Sequence, residues 1–112
     1  MPYPLLHRSS SGTVEEIPLE GLPLGIHADG AYPEIRLSLE SGDALLLMSD
    51  GFMEMFNHEK EMLGFERAKL LFKESAAGSA AQVIDRLVDA GKAWARGRPP
   101  ADDVTFIVLK RK

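Results

Sequence analysis

The chain has 112 residues, a formal net charge of −4 at pH 7 and no cysteine. Without cysteine there is neither a disulfide framework nor a thiolate metal site, and a cytoplasmic location is the default expectation. The acidic balance argues against a nucleic-acid surface, which needs a basic stripe, and no apolar run approaches the roughly 20 residues of a membrane span. We therefore expect one soluble domain, or a piece of one, with neither nucleic acid nor a membrane as a partner.

The first part of the chain predicts short strands joined by turns. Residues 3–8 and 13–19 predict two strands, because a stretch of serines and a glycine between them is typical of a turn. Glycine and proline punctuate 21–26, which favours a loop or an edge strand, and a turn follows at 27–31. Apolar and polar residues then alternate over 35–40, which predicts a half-buried strand.

A continuous apolar run at 44–48 follows a tight turn at 41–43. The run is too short for a helix of its own. We interpret it as a central strand that is covered on both faces. It ends abruptly at Ser49, Asp50 and Gly51.

Two helices and a last strand complete the predicted order. The first helix covers about 64–74, and the second begins at a possible capping box formed by Ser79 and Gln82 and ends at Gly97. Residues 104–109 are β-branched and aromatic, as is typical of a strand. Because strands are grouped first and helices later, the order predicts an α+β fold in which the last strand returns to the sheet.

Asp50 is the first candidate site residue. It follows the apolar strand, which would hold it rigidly, and Gly51 lets the backbone turn sharply beside it. Carboxylate oxygens placed in this way suit hard cations such as Mg²⁺ and Mn²⁺. The alternative is that Asp50 only caps a short helical turn through 52–54.

Asp102 and Asp103 are the second candidate pair. Adjacent carboxylates repel each other unless a cation or a donor offsets the repulsion, although a solvated acidic turn is an alternative interpretation. If Asp50 ends one strand and Asp102 begins an antiparallel neighbour, these acids meet at the same edge of the sheet. Such an edge would suit a divalent metal ion.

The order and spacing of these residues resemble the C-terminal part of the stage II sporulation protein E family. The family comprises bacterial members of the metal-dependent, PP2C-like (PPM) phosphatase superfamily. Residues 22–26 resemble the segment that precedes the motifs. The match consists of 42–51, Glu54, Asn57, Gly64 and 102–105.

The resemblance implies a β-sandwich flanked by helices, with two Mn²⁺ or Mg²⁺ ions at one edge. It carries the family's metal ligands, and with them its catalytic role, onto Asp50 and Asp102. Asp103 matches a supporting position at the metal site, and Gly51 matches the motif glycine that serves the backbone geometry there. It further implies that 1–112 is the C-terminal portion of the domain and that the N-terminal half, with a further Asp-Gly motif, is absent.

The implied activity is metal-dependent hydrolysis of a phosphoserine or phosphothreonine ester on a regulatory protein of the anti-sigma-factor antagonist type. This would place the protein in bacterial signal transduction and sigma-factor regulation, with the fragment alone expected to be inactive. An alternative is a non-catalytic or truncated module for binding or dimerisation, in which unpaired strand edges and an exposed apolar face favour a homodimer. An unrelated acidic α+β binding domain is a third interpretation.

Overall fold

A computed structural model of the chain describes residues 2–18, 38–97 and 103–112. The predicted loop at 21–26, the turn at 27–31 and most of the predicted strand at 35–40 lie outside these ranges. The described end of that strand, residues 38–40, is irregular. In chain order the described residues form β1 (Leu5–Arg8), β2 (Thr13–Glu16), β3 (Ala44–Met48), α1 (Asp50–Met53), α2 (Phe65–Ser75), α3 (Ala80–Ala95) and β4 (Phe106–Lys110).

The four strands form one antiparallel sheet in the order β2-β1-β3-β4. Leu46, in the middle of β3, pairs with Leu5 on one side and with Val108 on the other. β3 is therefore central, as the apolar run predicts, and β4 returns to the sheet beside it. The α+β class predicted from the order of elements is confirmed.

One face of the sheet packs against the helices. Ala44, Leu46 and Met48 point to this face and are buried in a single core together with Phe72 of α2 and Leu87 of α3. Full burial of one such large side chain contributes roughly 1.5–3 kcal/mol. The alternation of buried and half-buried residues along β3 shows that the helices cover one side of it.

The opposite face of the sheet is apolar, and we call it the outer apolar face; it is buried at Leu6, beside Leu45, and exposed along β4. Leu45 pairs with Leu109, and Leu47 pairs with Ile107. Ile107 and Leu109 are each 53% exposed, while Leu45 and Leu47 are half-buried. The prediction that β3 is covered on both faces is met in part: the helices bury its core face, and Leu45 and Leu47 on the other face are half-buried.

Local sequence signals define both ends of α3. The Oγ of Ser79 accepts a hydrogen bond from the Gln82 amide at 3.2 Å, and the Ser79 amide donates to Oε1 of Gln82 at 2.8 Å. The predicted capping box is thus confirmed. The helix ends in the left-handed residues Arg96 (φ 47°) and Gly97 (φ 85°). No helix in the described ranges is long and apolar enough to cross a membrane.

Candidate metal centre

Asp50 lies where the central strand turns into a short helix. β3 ends at Met48, Ser49 is still extended (φ −80°, ψ 164°), and Asp50 is the first residue of α1. The half-buried Asp50 accepts a hydrogen bond from the Glu54 amide through its backbone carbonyl at 3.0 Å, and Gly51 beside it is buried. The N-cap position belongs to Ser49, whose side chain makes no capping hydrogen bond to the helix, and Asp50 is the acidic residue of the first turn.

Ser49 joins the Asp50 turn to the segment that precedes β4. Its amide donates to the Thr105 carbonyl at 3.0 Å, and its hydroxyl accepts from the Thr105 amide at 2.9 Å and donates to the Asp103 carbonyl at 3.1 Å. These bonds continue the β3–β4 register, whose last pair is Met48 with Phe106. The backbone of Asp103 therefore lies beside the residue that precedes Asp50, at one edge of the sheet.

Only some of the candidate site residues lie within the described ranges. Asp50, Gly51 and Asp103 belong to this edge, whereas Asp102 lies outside the described residues. Within the described ranges no group of three or more histidine, aspartate and glutamate side chains could hold a metal ion. The carboxylates of Asp50 and Asp103 are the oxygen ligands that Mg²⁺ and Mn²⁺ prefer, so the donor chemistry fits these ions while the described set is smaller than a complete site.

Ser49 is a site residue that the sequence analysis did not single out. A lone serine between an apolar strand and an aspartate gives no signal of its own. Its role depends on pairing with Thr105, which is distant in sequence. Once β3 and β4 are known to be antiparallel neighbours, a hydroxyl at the end of one strand can link it to the start of the other, because it both donates and accepts.

The side of α1 that faces the interior is held by aromatic packing. Phe52 is buried, and its ring packs edge-on against Phe106 of β4, with 4.9 Å between the ring centroids. Two residues after α1, the Met55 carbonyl accepts hydrogen bonds from the Trp94 indole at 2.9 Å and from the Leu63 amide at 2.8 Å. The turn that carries Asp50 is therefore fixed to both β4 and α3.

Asn57, which belongs to the recognised motif, organises the loop that follows. Its Oδ1 accepts hydrogen bonds from the amides of Glu59 and Glu61, both at 2.9 Å. Its own amide donates to the Glu61 carbonyl at 3.0 Å, beside a bridge between Phe56 and Met62. The asparagine thus shapes a tight loop beside the Asp50 turn, which accounts for its place in the motif.

Asp43, at the other end of β3, has a different environment. Its carboxylate is buried and accepts hydrogen bonds from the Ser9 amide at 2.8 Å, the Glu40 amide at 2.9 Å and Nη1 of Arg8 at 3.0 Å. The Ser9 and Glu40 amides, followed by Arg8, hold the pKa of Asp43 below its usual range. With its oxygens engaged inside the protein, this aspartate is structural.

Comparison with known proteins gives a consistent result. The model of the stage II sporulation protein E family matches residues 1–112. The phosphoserine phosphatase RsbU of Bacillus subtilis (strain 168) is 30% identical over 106 residues, which are 95% of this chain and 31% of that protein.

Solved structures share the fold. The SiaA-PP2C domain of Pseudomonas aeruginosa superposes with a TM-score of 0.78 at 20% identity, covering 99% of this chain and 44% of that one. The RsbU and RsbW domains of Rv1364c from Mycobacterium tuberculosis give 0.68 at 27% identity, covering 99% and 30%. The Mn-presoaked phosphatase domain of SpoIIE from Bacillus subtilis gives 0.61 at 23% identity, covering 99% and 46%.

The chain thus spans about a third of the length of its curated relative and less than half of these solved chains. The resemblance based on the Asp50 motif and the acidic pair is confirmed by a family match over all 112 residues. The architecture of the described residues is that of part of a PP2C-like phosphatase domain. The chain belongs to the stage II sporulation protein E family.

Proposed function

We propose that this chain is the C-terminal portion of a metal-dependent protein serine/threonine phosphatase domain and carries part of its metal site. The observation that supports this most directly is the set of hydrogen bonds that Ser49 makes with Thr105 and Asp103. They tie the Asp50 turn to the start of β4, so two acidic segments far apart in sequence share one edge. The relative RsbU, a phosphoserine phosphatase, supports the same reaction class.

In this proposal Asp50 and Asp102 are metal ligands and Asp103 supports them. Gly51 keeps the backbone compact where α1 begins, and Ser49 holds the two acidic segments together. When bound at this edge, two Mn²⁺ or Mg²⁺ ions would supply a water of lowered pKa and polarise the phosphoryl oxygens. The chain itself contributes fixed negative charge on a rigid strand end, which limits the reorganisation needed to place the ions.

The N-terminal half of the domain would supply the remaining ligands, so we expect 1–112 alone to be inactive. The proposed substrate is a phosphorylated regulatory protein of the anti-sigma-factor antagonist type, acted on in the bacterial cytoplasm as part of sigma-factor regulation. The support for this substrate class is membership of the family and the likeness to RsbU.

Substitution of the proposed ligand in the full-length phosphatase tests the site. Asp50→Ala should lower Mn²⁺-dependent hydrolysis of a phosphoserine peptide by more than about 100-fold, because even groups that only support a metal ligand cost ~10–100-fold when changed. Asp85→Ala, which removes an exposed acid from α3, is the matched control and should retain activity. Full Mn²⁺-dependent turnover by the Asp50→Ala protein, with its fold intact by circular dichroism, would remove Asp50 from the site.

A non-catalytic binding or dimerisation module is the second candidate function. The outer apolar face favours it, since Ile107 and Leu109 are more than half exposed beside the half-buried Leu45 and Leu47. Adjacent exposed apolar residues of this kind mark interaction surfaces. Two alternative occupants would cover this face: a second copy of the chain, or the N-terminal half of the domain.

A further inference from the structure

The segment that carries Asp50 lies against α3 at Gly91. This glycine is buried in the C-terminal half of the helix. A Cβ built on it would lie 3.2 Å from Cε1 of Phe52 and 3.3 Å from Sδ of Met55. Contacts of this length are tighter than ordinary van der Waals packing, so α3 approaches this segment as closely as it does because position 91 has no side chain.

Trp94 makes a second contact from the same helix to the same segment. Its indole N–H donates to the Met55 carbonyl at 2.9 Å, and the guanidinium of Arg67 lies 4.6 Å from the centre of its ring. Gly91 and Trp94 are three positions apart and therefore lie on one face of the helix. The close contact at Gly91 limits how near α3 can come to this segment, and the hydrogen bond from Trp94 prevents the helix from moving away.

We propose that Gly91 and Trp94 are positioning residues, through which α3 sets the location of the α1 turn and hence of the Asp50 carboxylate. That the turn serves a metal rests on the proposed function, whereas the mechanical coupling rests on the contacts alone. Phe52 packs against Phe106 of β4 and so connects the turn to the sheet. Ser49 fixes the other end of the turn to Thr105. Asp50 therefore sits between two restraints, one from β4 and one from α3.

Gly91→Ala separates positioning from general stability, because alanine is a better helix former than glycine. The new methyl group would meet Phe52 and Met55, which belong to the segment that carries Asp50, so relief of the contact has to move that segment. The substitution should therefore leave α3 folded while it displaces the turn. If Gly91 served only the stability of the fold, the substitution would not displace the turn while α3 stays folded.

The primary readout is hydrogen exchange of residues 50–55 in the full-length phosphatase, measured by mass spectrometry without metal. The Glu54 amide, bonded to the Asp50 carbonyl, reports opening of the turn. We expect Gly91→Ala to speed its exchange by about tenfold, in line with local opening being separable from global unfolding. Trp94→Phe, which keeps a ring but removes the donor, should act in the same direction with a smaller change.

The second readout is the dissociation constant for Mn²⁺ by isothermal titration calorimetry. Gly91→Ala should weaken binding by about tenfold or more, as expected when support for a ligand is disturbed. Adding Met55→Ala to Gly91→Ala should recover part of both effects, because it removes the Sδ that the new methyl group meets. Ser79→Ala is the control: it weakens the far end of α3 and should change neither quantity.

Unchanged exchange of residues 50–55 in Gly91→Ala overturns the inference, whatever happens to activity. If exchange rises as expected but Asp50→Ala binds Mn²⁺ as tightly as the unaltered protein, the positioning stands and the proposed metal role of Asp50 is what fails. If both exchange and Mn²⁺ affinity change and Met55→Ala partly restores them, α3 positions the turn in service of the metal site.

Discussion

At the scale of single residues, the two aspartates that flank β3 show how environment assigns a role. Asp43 precedes the strand and is satisfied by two backbone amides and an arginine. Asp50 follows the strand at an edge shared with Asp103 and is half-buried. The sequence places both beside the same apolar run, and it is the burial and the three donors of Asp43 that mark this aspartate as structural.

The hydrogen bonds of Asp43 predict a specific dependence of stability on pH. Because its pKa in the folded protein lies below the ordinary value of 3.8, the folded state favours the ionised form, and the contribution is fully present above that ordinary value. It declines as the pH falls below the ordinary value and is gone once the pH passes the folded-state pKa. Urea denaturation should show that Asp43→Asn is less stable than the unaltered protein at pH 7 and that the gap narrows toward pH 3.

Asp85→Asn, a change at an exposed position on α3, serves as the control for this series. It should leave the free energy of unfolding nearly unchanged at both pH values, as is usual for surface substitutions. A gap for Asp43→Asn that stays constant down to pH 3 would contradict the assignment, because it would mean that the ionised carboxylate is not what the surrounding amides stabilise.

At the scale of elements, α3 combines a defined start, a buried face and the contacts to the Asp50 turn. Its capping box satisfies two of the amides that every helix start leaves unpaired. Ser79→Ala should therefore lower the free energy of unfolding by about 1 kcal/mol. Urea denaturation monitored by circular dichroism measures the loss. Ser79→Asp, which keeps an acceptor at the cap, should retain most of the stability, and equal losses for both variants would show that the cap is not the cause.

The elements also show what the sequence can and cannot predict. The strand at 44–48 and the helix from Ser79 to Gly97 carry local signals, namely an apolar run, a capping pair and a terminal glycine, and both are confirmed. The shared edge of Asp50 and the acidic segment was predicted only on the condition that their two strands are antiparallel neighbours, which β3 and β4 are. The roles of Ser49, Gly91 and Trp94 were not predicted, because each depends on a partner from a distant part of the chain.

At the scale of the whole molecule, the outer apolar face shows what an apolar run in the sequence cannot predict. An apolar run predicts that a strand has apolar surroundings on both faces, but it does not specify which chain supplies the second layer. Here the helices cover one face, and Ile107 and Leu109 on the other remain more than half exposed. The chain spans 31% of its relative RsbU, and under the proposed function the N-terminal half of the domain would supply the covering layer.

This exposure predicts that the 112-residue chain on its own self-associates through the outer apolar face. Full burial of a leucine contributes roughly 1.5–3 kcal/mol, so covering the exposed half of Leu109 in both copies contributes about 2 kcal/mol. Leu109→Lys should then weaken dimerisation by about thirtyfold, measured by sedimentation equilibrium.

Leu70→Lys, at a leucine of α2 that is 55% exposed, is the matched control and should leave the dimer intact. Equal weakening by both substitutions would point to nonspecific association. In the proposed full-length phosphatase, Leu109→Lys should lower the stability of the fold instead, because the N-terminal half of the domain would occupy this face there.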